Sequence, residues 1–187
     1  MSDKKKPAIS KQETILRAKE VFKERFASQV ADQAACLQWT ASLMRVFREQ
    51  NRPFQLQAGT ASFRIIHPDN DKDESLPNYF SYQFEMAAAM RRLIQTGCLP
   101  EMHVWGYLED TQELVDLTVG YQPAQCMTMI GVAWDKAILP PEHLWAKPEV
   151  LIGDPLKRFR YIATPNAIMM AMSILQKCFP DMHPNHL

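Results

Sequence analysis

Three residues of this 187-residue chain combine reactive types with suggestive placement: Cys36, His103 and Asp116. Cys36 heads the stretch "CLQWTASLMRVF", in which Leu37, Ala41, Met44 and Phe47 recur at helical spacing. In the first turn of a helix, unpaired backbone N–H groups and the helix dipole favour a thiolate, which makes sulfur nucleophilic. His103 opens the alternating "HVWGYL", and Asp116 follows thirteen residues later in "LVDLT". With "EDTQ" as the turn, 102–120 reads as a β-hairpin whose positions 103 and 116 come close to facing each other on one side. An imidazole so placed can take a thiol proton and return it to a leaving group, while the carboxylate fixes its tautomer. Each residue also has a plainer reading. Free cysteines are mostly small apolar filler, a histidine on a half-buried strand is mostly a hydrogen-bonded structural residue, and Asp116 could simply cap a strand end.

The elements that must position these residues follow from pattern. Residues 11–27 carry Ile15, Leu16, Ala18, Val21, Phe22 and Phe26 between charges, an amphipathic helix. A second helix is predicted over 32–50, capped by Asp32 and stopped by Pro53. The alternation of Phe54, Leu56 and Ala58, then Phe63 and Ile65, predicts one or two strands bent at Gly59. A polar loop covers 67–78, and the Ala-rich 79–97 predicts a helix closed by Gly97. After the hairpin, the Pro- and Trp-rich 121–150 shows no period. "RFRYIA" (158–163) reads as a strand and 164–179 as a last helix, with Thr164 as its cap and Pro165 at its first position. Helices first and an antiparallel sheet after them make the fold class α+β.

Composition narrows the function. Lys plus Arg and Asp plus Glu both number 21, so no net field favours nucleic acid or an anionic membrane surface. The longest apolar run, "AIMMAMSIL", is too short to cross a bilayer. The four cysteines, Cys36, Cys98, Cys126 and Cys178, form no C-x-x-C pair, which disfavours zinc and disulfide frameworks and suits a reducing cytoplasm. The reading is a solvated tail over 1–10 followed by a single domain over 11–187, with no nucleic-acid or membrane partner, no metal site and no cofactor. His67 and the acids of "HPDNDKDE" lack the glycine and terminal glutamate of an EF-hand. His143 with Glu142 sits in a proline-rich stretch that could border a cleft, His183 and His186 lie in a polar tail, and the eleven methionines suit core packing.

A helix-borne cysteine, a connecting strand, "HVW" on one strand and "LVDLT" on the next together resemble the transglutaminase-like superfamily of cysteine enzymes with a papain-like core. The likeness covers 34–60 and 102–120. It implies Cys36 as nucleophile, His103 as general base and acid, and Asp116 as the residue that orients the imidazole, acting through a thioester on a peptide or small acyl substrate. "SQVADQAAC" lacks the glycine that many members place beside the cysteine, and the Arg-Gly-Gly run of arylamine N-acetyltransferases. For the oxyanion, the Cys36 backbone N–H is one donor by position, and Gln33 or Gln29 is a candidate side-chain donor. Two other classes stay open: a binding or structural domain that keeps the fold without turnover, and a redox sensor with a resolving thiol.

Overall fold

The mixed three- and four-residue apolar spacing after Ser10 folds as helix α1 (Lys11–Phe26), which buries Ile15, Ala18, Val21, Phe22 and Phe26. In the computed structural model, which describes residues 9–26, 35–64, 79–96, 102–121, 141–154 and 158–182, this stripe packs on α2 (Cys36–Glu49). Phe22 stacks on Trp39 with ring centroids 4.1 Å apart. Every residue of α2 from Leu37 to Phe47 except Arg45 is buried, so this helix is the centre of the molecule rather than a surface element. It begins later than expected. Ala35 occupies the capping position and supplies no side-chain cap, which corrects the assignment of Asp32 as the capping residue: residue 32 is three positions too early. Asp32 itself lies outside the described residues.

The hub of the sheet is β1 (Phe54–Arg64), a single strand running through Gly59. Its residues 54–59 pair antiparallel with β3 (His103–Leu108), 61–64 with β2 (Tyr79–Tyr82), and 59–63 with β6 (Phe159–Ala163). The hairpin continues the sheet through β4 (Glu113–Asp116) to β5 (Leu144–Ala146). Glycine at 59 is required by close approach: a Cβ there would stand 2.1 Å from the Ile162 carbonyl oxygen of β6.

One predicted helix is shorter than its sequence pattern. Residues 79–82 form β2, and α3 (Met86–Thr96) begins only after Glu85, whose carboxylate accepts from the Ala87 and Ala88 N–H groups at 3.2 and 3.1 Å. An aromatic "YFSY" run fits the pleated surface beside β1, and Glu85 supplies the helix start. Within the unassigned 121–150, the structure places β5 and the start of the short α4 (Pro148–Ile152). The last helix, α5 (Pro165–Cys178), has Thr164 accepting from the Ala167 N–H, with Pro165 in its first turn, as its sequence predicts. The class is therefore α+β with an antiparallel sheet.

Strand alternation splits the buried residues into two cores. Leu56, Ala58, Val104, Leu108, Val115 and Leu117 face α1, α2 and α5. Ala61, Phe63, Trp105, Leu114, Leu144 and Phe159 make a second core on the other face, where α4 contributes Leu151.

Candidate active site: a buried imidazole and carboxylate beside a helix-borne thiol

The hairpin register pairs Gly106 with Val115 and Leu108 with Glu113. Continued by one position, it sets Asp116 opposite Trp105, so Asp116 is diagonal to His103 rather than facing it. This agrees with the expectation that 103 and 116 come close to facing each other, and period-2 alternation puts both side chains on one face. They meet there: His103 Nε2 lies 2.7 Å from Asp116 Oδ2, with His103 1% and Asp116 2% exposed.

The carboxylate is fully engaged. Its Oδ2 also accepts the Tyr161 hydroxyl at 2.7 Å, and its Oδ1 accepts both the backbone N–H and the hydroxyl of Thr118, at 2.8 and 2.7 Å. A carboxylate that accepts four donors is ionised, so Nε2 must carry the proton it shares with Oδ2. Burial opposes the charge on Asp116, but His103 beside it, aided by Thr118 and Tyr161, holds the carboxyl below its usual range. Burial likewise disfavours a charged imidazole; the Asp116 carboxylate outweighs that, Cys36 adds a further pull, and His103 is pushed up to about 10. Burial and the Asp116 charge together push the Tyr161 phenol well above its ordinary value. The imidazole is also held flat: Tyr82 stacks on it at 5.2 Å and 12°, and Trp105 at 6.1 Å and 21°.

Cys36 is the first residue of α2 and is partly exposed. Although α2 packs against the opposite face of the sheet from the one that carries His103, the thiol stands close enough to His103 to strengthen its hold on a proton electrostatically. No hydrogen bond closes, however, and His103 Nδ1 is buried without a partner. Among the described residues, the backbone ladder of α2 begins with the Trp39 N–H, which reaches the Ala35 carbonyl at 2.9 Å. The first-turn N–H groups, which have no acceptor within the helix itself, therefore begin at the position of the thiol.

Of the other sequence candidates, Gln33, Gln29, Cys98, Cys126, His67, His183 and His186 lie outside the described residues. Glu142 is paired with Lys19 at 2.9 Å on the surface. Among the described residues, no group of three or more His, Cys, Asp or Glu side chains is arranged to hold a metal, and no helix is long and apolar enough to cross a membrane. Sequence reasoning missed Thr118 and Tyr161 as partners of Asp116. Thr118 was within reach, since an Asp accepting from the N–H two residues on is a common local turn. Tyr161 reaches the site by strand pairing from 45 residues away, and its alternation with Phe159 carried no sign of which side chain it would meet.

On the same outer face, a cleft of about 360 Å³ runs between the sheet and α4, with Trp105, Tyr161, Leu151 and Ile152 among its walls. No protein-family model, no curated protein and no solved structure matches this chain.

Proposed function

We propose that this protein is a cysteine-dependent acyl-transfer enzyme, an amide or ester hydrolase or transferase, built on a transglutaminase-like core with Cys36, His103 and Asp116 as its working residues. The observation that carries the reading is the unpartnered, buried Nδ1 of an imidazole whose other nitrogen is bound to Asp116 and whose neighbour is the thiol at the start of α2. A structural histidine deep in a core is expected to have both ring nitrogens satisfied. Here one is left for chemistry.

The steps follow from that geometry. His103, charged below about pH 10, enters the reaction with a proton on Nδ1 as well as Nε2; the sulfur of Cys36, as thiolate beside it, adds to an acyl carbonyl whose oxygen turns toward the first-turn N–H groups of α2. The bond to the leaving amine or alkoxide breaks as Nδ1–H protonates it, leaving a thioester on Cys36. Nδ1 then accepts a proton from water or an amine as that nucleophile attacks the thioester, and the sulfur departs. Asp116 keeps the proton on Nε2 throughout, so that Nδ1 alone exchanges protons. The partner is a peptide or small acyl compound.

The test is acylation by p-nitrophenyl acetate, followed by release of nitrophenolate and by the acetyl mass on the Cys36 peptide. The expected result is a stoichiometric burst with the adduct on Cys36, absent in Cys36→Ala and slowed by about 10²–10⁴ in His103→Ala. An adduct spread over the exposed Cys178, or a rate indifferent to His103, would leave a non-catalytic domain as the reading.

A further inference from the structure

We infer that Tyr161 is a positioning residue whose hydroxyl, by sharing Asp116 Oδ2 with His103, limits how tightly the carboxylate holds the imidazole proton. This rests on the acyl-transfer reading above, and it extends it to a residue outside the triad, on another strand.

The geometry restricts what that hydroxyl can be doing. Thr118 already fixes the carboxylate's orientation through two hydrogen bonds to Oδ1, so a third anchor on Oδ2 is not needed to place it. The Tyr161 oxygen lies 2.7 Å from Oδ2, the same separation as His103 Nε2. Two donors on one oxygen compete for its electron density, and stabilising the carboxylate makes it a weaker base toward each. The titratable groups that face His103 among the described residues are Asp116 from β4, Cys36 from α2, Tyr161 from β6 and Tyr82 from β2. Tyr161 is the neutral donor in that set that touches Asp116 directly, and its phenol stays protonated well past its ordinary range. The consequence falls on the acid half of the reaction. An amine leaving group departs only when Nδ1–H gives up its proton, and an imidazolium bound too tightly by its carboxylate gives it up slowly; p-nitrophenolate leaves without that proton.

The experiment is a titration of His103 by NMR of ¹⁵N-histidine-labelled protein from pH 6 to 11.5, in wild type and Tyr161→Phe, with p-nitrophenyl acetate and p-nitroacetanilide reactions in parallel. The expected result is a Tyr161→Phe protein of unchanged circular dichroism in which His103 titrates higher by on the order of one pH unit. Its Nε2–H resonance moves further downfield. Reaction with the anilide falls by roughly tenfold relative to the ester. Replacing Tyr161 by 3,5-difluorotyrosine, a stronger donor of the same shape, should move the titration the other way, and serves equally well if the phenylalanine variant does not fold. A His103 titration that stays put or falls in Tyr161→Phe overturns the inference while leaving the enzyme reading intact. Failure of His103→Ala to slow acylation of Cys36 overturns the enzyme reading, whatever the titration shows.

Discussion

Asp116→Asn separates the electrostatic role of this residue from simple packing, because the charge can be removed with almost no change of shape. The four donors around the carboxylate dictate how an amide must sit. If its oxygen faced His103 and Tyr161, its NH₂ would confront the two Thr118 donors; the oxygen therefore stays with Thr118 and the NH₂ turns to His103 Nε2. Nε2 must then accept, the ring proton moves to Nδ1, and the nitrogen beside Cys36 loses its capacity as a base. Turnover should fall by about 10⁴, the size of effect seen for the equivalent change in a serine-protease triad, where the wrong tautomer is likewise the cause. Stability follows from the same pair. A histidine raised from 6.5 to about 10 on folding contributes stability that is complete below pH 6.5 and lost as pH rises through 10. At about 1.4 kcal/mol per pH unit, that contribution is about 5 kcal/mol at its fullest and about 4 kcal/mol at pH 7. The latter agrees with the ~3–5 kcal/mol typical of removing one partner of a buried ion pair. The lowered Asp116 carboxyl is the other side of this interaction and adds nothing further at neutral pH. Urea unfolding of both proteins from pH 6.5 to 10.5 is the assay. The stability gap should narrow by about 1.4 kcal/mol per pH unit above pH 7 and settle near 1 kcal/mol, the residue of lost hydrogen bonds. A gap that stays constant to pH 10.5 would refute the ion-pair reasoning and make Asp116 a packing residue.

Two predictions concern the scaffold. Thr164→Ala removes the side-chain acceptor at the start of α5 and should cost about 1 kcal/mol, read as a fall in Tm of roughly 2–4 °C; no change would mean that the helix start is held by Pro165 and packing alone. Gly59→Ala places a methyl against the Ile162 carbonyl and should destabilise by about 2–3 kcal/mol. Because β6 must shift to admit it, Cys36 acylation should slow as well, and a variant of wild-type stability would show that β6 approaches β1 less closely than described.

The candidate site was legible in the sequence where its geometry is local. A helix with Cys36 in its first turn follows from the spacing of Leu37, Ala41, Met44 and Phe47, and a hairpin turning near Asp110 confines His103 and Asp116 to one face whether they stand opposite or one diagonal apart. That is why the expectation that the two come close to facing each other on one side needs no exact register to bring the side chains together. The helix boundary at Asp32 and the strand hidden in "YFSY" failed for a different reason. A capping residue and a four-residue aromatic run are weak local signals, and pairing with β1 and the capping by Glu85 decided the second. Tyr161 was illegible because its role depends on which strands pair across long stretches of chain, and no local pattern records that β6 lies beside β1. One residue nonetheless links the local and the distant parts of the site. In the strand registers, Gly59 pairs with His103 on β3 and with Ala163 on β6, so it stands where the histidine strand and the tyrosine strand both meet β1. Alternation and a glycine made it look like a bend in a strand; the structure makes it the point where a missing side chain lets β6 come close. Tyr161, two residues from that contact, then reaches Asp116. The same absence of a Cβ that loosens a strand in isolation is what brings the second donor strand onto the carboxylate.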